Sequence, residues 1–296
     1  MSFIWGSSFV AQSLGMESVD AFTFNGIRTL MGAATLLPVI LIKSYVEKKR
    51  KTPEITVNSG DRFAELKYGI PLGTVLCIAS NFQQFAFYYS TSGKIAFITA
   101  LYMFFVPIFS IVLKRRVSLI TWGCVFLGFF GLYLLCFRSA DIGALNKGDI
   151  LSFCCAVMFA VQIMMVDEFA PKTDGLKLSF VQFSVSGILS IIMMFIFENP
   201  QISAINSAIL PLLYSGVISC GVAYTLQIVG QKYTEATVAS LLMCMESVFA
   251  VLCGAVFLHE RLTAREIIGC TVMFVAIVMS QVSEIITARK QQKSEV

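Results

Sequence analysis

The sequence predicts an all-α integral membrane protein of ten transmembrane helices, arranged as two inverted five-helix repeats. Three observations predict it. Of 296 residues, 57% are apolar and only 14% charged, against about 45–50% and about 25% in soluble domains. Asp, Glu, Lys and Arg are absent from long windows, among them 68–93, 95–113, 117–137, 178–197 and 199–231, and a helix that crosses a bilayer needs roughly 20 mostly apolar residues. Residues at a fixed offset also match between the two halves. Water-soluble folds, nucleic-acid binders and secreted disulfide scaffolds are excluded.

The windows resolve into ten segments: 2–15, 21–42, 68–90, 94–113, 118–137, 149–166, 178–197, 208–231, 235–258 and 266–284. Hydrocarbon gives the backbone no outside partner, so each segment must be a helix, and the β-barrel alternative would need short alternating strands. The first segment holds about 14 residues before Glu17, short of a full span. Either its true start lies upstream or it is a half-span. It has no charged leader region and is not read as a secretory signal. The second carries Arg28, and the third has Pro71 in its first turn, where proline is tolerated; Pro211 stands likewise in the eighth. Pro107 is expected to kink the fourth. Gly123, Gly128 and Gly131 in the fifth permit close helix contact. The ninth holds Glu246. Between segments stand turn and loop residues: Gly15, Thr52-Pro53, Ser59-Gly60-Asp61, Ser92-Gly93, Asn146-Lys147-Gly148, Asp174-Gly175 and Asn199-Pro200.

Lys and Arg placement sets the orientation. With the first loop outside, inner segments carry 16 basic residues and outer segments 5, which places both termini in the cytoplasm. The basic loop 43–67, with Lys48-Lys49-Arg50-Lys51, therefore reads as topogenic charge near anionic lipid rather than a nucleic-acid site. All nine cysteines lie within apolar windows, no CxxC pair occurs and the lone histidine is His259. Buried cysteine behaves as a small hydrophobe, so no metal or other cofactor is expected.

At an offset of 143, Gly73 matches Gly216, Cys77 matches Cys220, Gln84 matches Gln227, Thr91 matches Thr234 and Ala96 matches Ala239; at an offset of 150, Phe9 matches Phe159 and Gln12 matches Gln162. The domains expected are 1–140 and 141–296. Five helices is an odd number, so the second half must enter the membrane from the opposite face, as in many secondary transporters whose substrate site lies between repeats near the midplane. On Trp5-Gly6-Ser7-Ser8-Phe9, Arg28, Thr91-Ser92-Gly93-Lys94-Ile95-Ala96-Phe97, Tyr233–Leu241, Glu246-Ser247-Val248-Phe249-Ala250 and Leu258-His259-Glu260-Arg261-Leu262-Thr263, the chain resembles the drug/metabolite transporter superfamily, in its ten-helix EamA-type branch. It departs from that pattern at Ser247, where the family usually has proline, at His259, where it has glycine, and at Lys114-Arg115-Arg116, where a Gly-Glu pair is common. The resemblance implies transport, with substrates ranging over amino acids, other metabolites, nucleobases and drugs.

Candidate site residues follow from helical spacing. Cys77, Asn81, Gln84 and Tyr88 share one face of the third segment, and Cys220, Tyr224, Gln227 and Gln231 share one face of the eighth. Such stripes line a cavity or act as interhelical amide glue. The cavity lining expected is Gln12, Asn81, Gln84, Tyr88, Gln162, Tyr224, Gln227 and Gln231. Glu246 sits about 11 residues into its span, where an ionisable group is expensive. It is read as a proton-coupling group, as a partner for a substrate amine, or as a neutral acid bonded between helices. Arg28 pairs with a substrate carboxylate or with Glu246, or snorkels to the interface.

No P-loop, HExxH or GxSxG motif occurs in the chain. The reading is a secondary carrier, not an enzyme, moving a small organic solute through a prokaryotic cytoplasmic (inner) membrane by alternating access. Export is favoured on family resemblance. The partners expected are the solute, the lipid bilayer and protons as a coupling ion, with no nucleic acid; the oligomeric state is left open. The rivals are an intramembrane enzyme and a non-transporting sensor or assembly subunit.

Overall fold

The structure is a computed structural model, and it describes residues 1–50, 63–115, 117–136, 146–249, 252 and 263–294, without the side chains of 47, 50, 136 and 284–294. The loop signals at 52–53 and 59–61, Lys51, Arg116, the 140/141 boundary, most of the ninth segment beyond 249, Cys253 and the 258–262 motif lie outside the described residues. Among the described residues the chain is all helix, with no strand.

The helices are α1 (Ser2–Met16), α2 (Ala21–Arg50), α3 (Ala64–Ala86), α4 (Ser92–Thr99), α5 (Tyr102–Val112), α6 (Leu119–Cys136), α7 (Lys147–Phe169), α8 (Gly175–Phe197), α9 (Ile202–Ser207), α10 (Ile209–Leu213), a π-helical stretch Tyr214–Tyr224, α11 (Thr225–Gln231), α12 (Ala236–Met243) and α13 (Ala264–Ser294). Six stretches are long and apolar enough to cross a bilayer: Ala21–Val46, Ser92–Val112, Lys147–Lys172, Gly175–Phe197, Ile209–Gln231 and Ala264–Ser283; Leu119–Leu135 and Ala236–Phe249 are shorter apolar helices. α3, with Asn81, Gln83 and Gln84, is not among the six. Its amides are buried all the same, while large apolar side chains such as Ile188, Ile192, Phe195 and Phe197 on α8 face outward. Polar inside and apolar outside is the arrangement a hydrocarbon solvent selects.

End-to-end contacts sort the helix termini onto two faces. On one, Lys94 at the start of α4 pairs with Asp149 at the start of α7 at 2.7 Å, and Glu198 past the end of α8 accepts hydrogen bonds from the Phe22 and Thr23 backbone N–H groups at the start of α2, 2.8 Å each. On the other, Lys43 pairs with Asp174 at 2.6 Å and Arg115 pairs with Asp167 and Glu168. Asp174 also caps α8, accepting from the N–H groups of Leu176 and Lys177. Burial resists its ionisation, but Lys43 and these two donors hold its carboxyl below the ordinary range.

Glycines set the closest helix crossings. A Cβ on Gly73 would lie 2.6 Å from the Gln182 carbonyl and 2.8 Å from the Val185 Cβ; one on Gly216 would lie 2.9 Å from the Arg28 carbonyl and 2.7 Å from the Met31 Cβ. α3 thus presses on α8 as the π-helical stretch presses on α2. In the same manner α6 meets α13 where Gly131 and Gly269 oppose each other's carbonyls at 2.9 and 2.8 Å. Gly123, by contrast, faces open space.

The fourth segment is interrupted between α4 and α5, at Ala100–Leu101, where Leu101 N–H turns to the Ile98 carbonyl and Met103 N–H to that of Ala100. The expected kink at Pro107 is therefore not where the helix breaks. At the positions 143 further on, Met243–Cys244, the ninth segment also stops and resumes over 245–249, and no proline stands nearby. Both interruptions rest on i→i+3 hydrogen bonds, here from the Ser247 N–H to the Cys244 carbonyl.

Two residues past the end of α5 stands Lys114, whose φ of 60° is left-handed. The Lys114 N–H bonds the Ile111 carbonyl and the Arg115 N–H that of Ser110, a Schellman closure whose left-handed residue is usually glycine. Lys114→Gly should raise stability by roughly 0.5 to 1 kcal/mol, the left-handed penalty less glycine's entropy; thermal unfolding in detergent measures it. Gly216→Val should lower stability by roughly 1 to 3 kcal/mol through overpacking against α2, and unchanged unfolding would refute the crossing described.

Candidate functional site

Amide and hydroxyl groups that cannot face lipid must either bond each other or line a chamber, and the structure separates these two fates. A cavity of about 50 Å³ lies inside the bundle. α1 gives it Trp5, Phe9 and Gln12; α2 gives Arg28; α7 gives Phe159, Gln162 and Ile163. The two broken segments give Thr99, Tyr102, Met243 and Glu246, residues that flank the breaks on either side. Ser219 and Tyr224 come from the π-helical stretch, Gln227 from α11 and Gln83 from α3.

Of the residues selected from the sequence, Gln12, Gln162, Tyr224, Gln227, Arg28 and Glu246 stand on this wall. Asn81, Gln84, Tyr88 and Gln231 are not among the lining residues. Asn81 is a junction: its Oδ1 accepts from Asn25 Nδ2 at 2.9 Å, and its Nδ2 donates to Ser190 Oγ at 3.0 Å and the Cys77 carbonyl at 2.8 Å, joining α2, α3 and α8. Tyr88 is 45% exposed, where its hydroxyl donates to Asp20 and accepts from the Ala21 N–H at the start of α2. Gln231 stands one turn behind the wall, accepting from Gln227 Nε2 at 2.9 Å and donating to the Ile163 carbonyl at 3.1 Å. Gln84 is fully buried with neither amide atom bonded, and its neighbour Gln83 takes the place on the wall. The difference from Gln227 is helical phase. The eighth segment is underwound by its π-helical stretch, whereas the corresponding stretch of α3 is regular α, so equal spacing in sequence does not aim equal residues at the chamber.

Several wall groups are unpaired. Trp5 Nε1, Gln12 Oε1, Arg28 Nε, Gln162 Nε2 and Gln227 Oε1 are buried without a hydrogen-bond partner. Gln227 Nε2 donates to Gln162 Oε1 at 3.2 Å. Tyr102 donates to Glu246 at 3.4 Å, and the Trp5 and Tyr224 rings meet edge to face at 4.8 Å. Trp5, Thr99, Tyr102, Ser219 and Gln83 were not selected from sequence. The tryptophan lay within a recognised motif, but helix breaks leave no mark in composition. Among the described residues no three His, Cys, Asp or Glu side chains gather as a metal site.

Apolar-faced helices around a buried polar chamber define a multi-pass membrane protein, and the comparisons give its kind. The chain belongs to the EamA-like transporter family, which matches residues 1–137 and 146–281. It is similar to an uncharacterized transporter of Archaeoglobus fulgidus, 27% identical over 94% of this chain and 82% of that one. It is also similar to the uncharacterized transporter YoaV of Bacillus subtilis, 21% identical over 95% of this chain and 94% of that one. A solved crystal structure shares the fold with a TM-score of 0.72 at 16% identity, covering 95% of this chain and 97% of its own.

Asn81→Leu should cost roughly 1 to 3 kcal/mol, because it removes the Asn81 bonds to Asn25 and Ser190 and leaves the buried Asn25 Nδ2 with the Ser80 carbonyl alone. Gln12→Leu should cost little, since the Gln12 carbonyl oxygen has no partner to lose. Paired thermal unfolding in detergent checks both, and equal losses would contradict the division between junction and wall.

Proposed function

We propose that this transporter is a secondary carrier working by alternating access, with the cavity as its substrate site. One observation carries the reading: the chamber is walled by elements of both halves and flanked by two helix breaks 143 residues apart. Discontinuous helices around a central site are a recurrent construction in secondary transporters. The two halves, 1–140 and 141–296, are read as inverted five-helix repeats. The reciprocal crossings support this: Gly73 meets Gln182 and Val185 as its match Gly216 meets Arg28 and Met31. The two ranges matched by the family support it too. On the placement of basic residues both termini are cytoplasmic; the membrane is read as a prokaryotic inner membrane, and the direction as export on family resemblance.

Within this reading Gln12, Gln162, Tyr224 and Gln227 contact the solute directly, while Asn81, Tyr88 and Gln231 hold the frame around them. Glu246, the acid on the wall, is the group through which a proton gradient would act.

Protein reconstituted in liposomes should catalyse counterflow of a labelled solute, and Gln162→Ala and Gln227→Ala should each lower its affinity by about tenfold or more, the loss of one buried hydrogen bond. Wild-type affinity in both would remove the cavity from the mechanism. If protons drive flux through Glu246, Glu246→Gln should abolish the pH dependence of uptake; a retained pH profile would exclude that role.

A further inference from the structure

A second hollow lies apart from the chamber, between the ends of α5 and α7, with a volume of about 500 Å³ against about 50 Å³ for the chamber. It is an open groove, and its surface is almost wholly apolar: Phe109 and Val112 of α5 face Val161, Met164, Met165 and Phe169 of α7. α7 is the partition between the two hollows. Its Gln162 and Ile163 turn to the chamber, whereas Val161, Met164 and Met165 turn to the groove. The Ser110 hydroxyl donates to Met164 Sδ at 3.6 Å and holds the two helices together there. α5 stops at Val112, two residues beyond this contact, while α7 runs on to Phe169. Val112 is left 72% exposed. From Val161 to Phe169 the groove follows α7 for about 12 Å.

Charge gathers where the groove ends. Arg115 pairs there with Asp167 and Glu168, and Lys172 pairs with Glu168, so both acids are taken. Beyond them the Phe169 ring meets the Tyr68 ring at 4.7 Å. Two ammonium groups stand over that second ring, Lys67 at 5.5 Å and Lys172 at 6.0 Å from its centre. Among the described residues Lys67 forms no ion pair and no side-chain hydrogen bond. The excess is general to this face: the segments read as cytoplasmic carry 16 basic and 10 acidic residues, those on the other side 5 and 7.

An apolar groove that opens sideways from a membrane bundle is filled at least cost by hydrocarbon, and the two methionines let its walls fit a flexible chain. The cations at its end call for an anion. An anionic phospholipid supplies both, and such lipids are concentrated in the cytoplasmic leaflet, where basic pockets between helices collect their headgroups. A zwitterionic lipid would bring an ammonium of its own to the lysines. A second copy of this chain, docked groove to groove about a two-fold axis, would set the same lysines against each other. We propose that the groove between α5 and α7 is a binding site for one anionic phospholipid, an acyl chain lying along Phe109, Met165 and Phe169 and the phosphate held by Lys67 and Lys172. The site is independent of what the chamber carries.

The test uses the full chain, stripped of lipid in detergent, and four probes. These are phosphatidylglycerol, phosphatidylcholine with the same chains, glycerol 3-phosphate, which has the charge without the chains, and phosphatidylglycerol with a photoreactive group in one acyl chain. Native mass spectrometry should show one phosphatidylglycerol bound roughly fivefold or more tightly than phosphatidylcholine, the scale of two solvated lysines on one anion. Lys67→Gln combined with Lys172→Gln should lower the affinity for phosphatidylglycerol to that for phosphatidylcholine and leave the latter unchanged. Met165→Trp, which fills the groove, should weaken both lipids. The photoreactive chain should label α5 near Phe109 and α7 near Met165. Both lysines are exposed and their replacement leaves the fold intact; should Met165→Trp fail to fold, wild-type selectivity and the labelled positions decide. The proposal is overturned if the two lipids bind alike, if glycerol 3-phosphate displaces phosphatidylglycerol at comparable concentration, or if the label falls on other helices. It is overturned equally by a dimer that Met165→Trp dissociates, which would make the groove a contact between copies.

Discussion

Hydrocarbon offers no hydrogen bonds, and this constraint organises the molecule. Most amides, hydroxyls and charges between the two faces turn inward, where each is either matched or left open, while exposed hydroxyls such as those of Thr74 and Thr271 bond their own helix backbone. The matched set is structural. Asn25, Asn81 and Ser190 tie three helices together, and Gln231 fixes α11 to the backbone of α7. Part of the open set lies around one chamber, where five amide, indole and guanidinium atoms have no partner; the rest, hydroxyls such as those of Ser152, Ser186 and Ser215 among them, is spread through the bundle. Gln84 and Gln182 are also buried and unpaired but stand outside its lining, and nothing in the structure explains them.

Packing and chemistry obey different symmetries. The glycine crossings and the helix breaks recur between halves at corresponding positions. The charges and the π-helical stretch do not. This is the division expected if the crossings and breaks serve the frame and the unmatched features serve the chamber.

The helices were legible because a membrane writes its thickness into the sequence: runs poor in charge mark the segments, and among the described residues helices fall within them. The breaks at Ala100–Leu101 and Cys244 were not legible. Inside a bundle a helix can stop without proline or glycine, since neighbouring turns re-satisfy the backbone. The same limit applied to the wall. A uniform period places Gln84 and Gln227 alike, but underwinding of the eighth segment puts Gln227 on the chamber and leaves Gln83 there from α3. Asn81 and Tyr88 share a face with Gln84, yet which neighbour meets that face is decided by tertiary contacts with Asn25, Ser190 and Asp20 that no single segment encodes. Arg28 and Glu246 stand out from sequence because an ionisable group within a span is costly, and the structure buries both.

Both faces of the bundle are tied across the halves, and the ties are unequal. On the face bearing the start of α2, Glu198 takes two backbone N–H groups and the Thr23 hydroxyl, while Lys94 reaches a buried Asp149 that also completes the capping box of α7. On the opposite face Lys43 and Arg115 make pairs with about 40% of each basic side chain exposed, and pairs that wet are individually worth about 0 to 1 kcal/mol. On the alternating-access reading proposed above, one set of ties is released while the other holds. The energetics favour parting at the solvated pairs, where water replaces each lost contact, over pulling Glu198 from a helix start whose N–H groups would be left unbonded. On that reading the solvated pairs at Lys43 and Arg115 are the ties whose breaking and re-forming costs least.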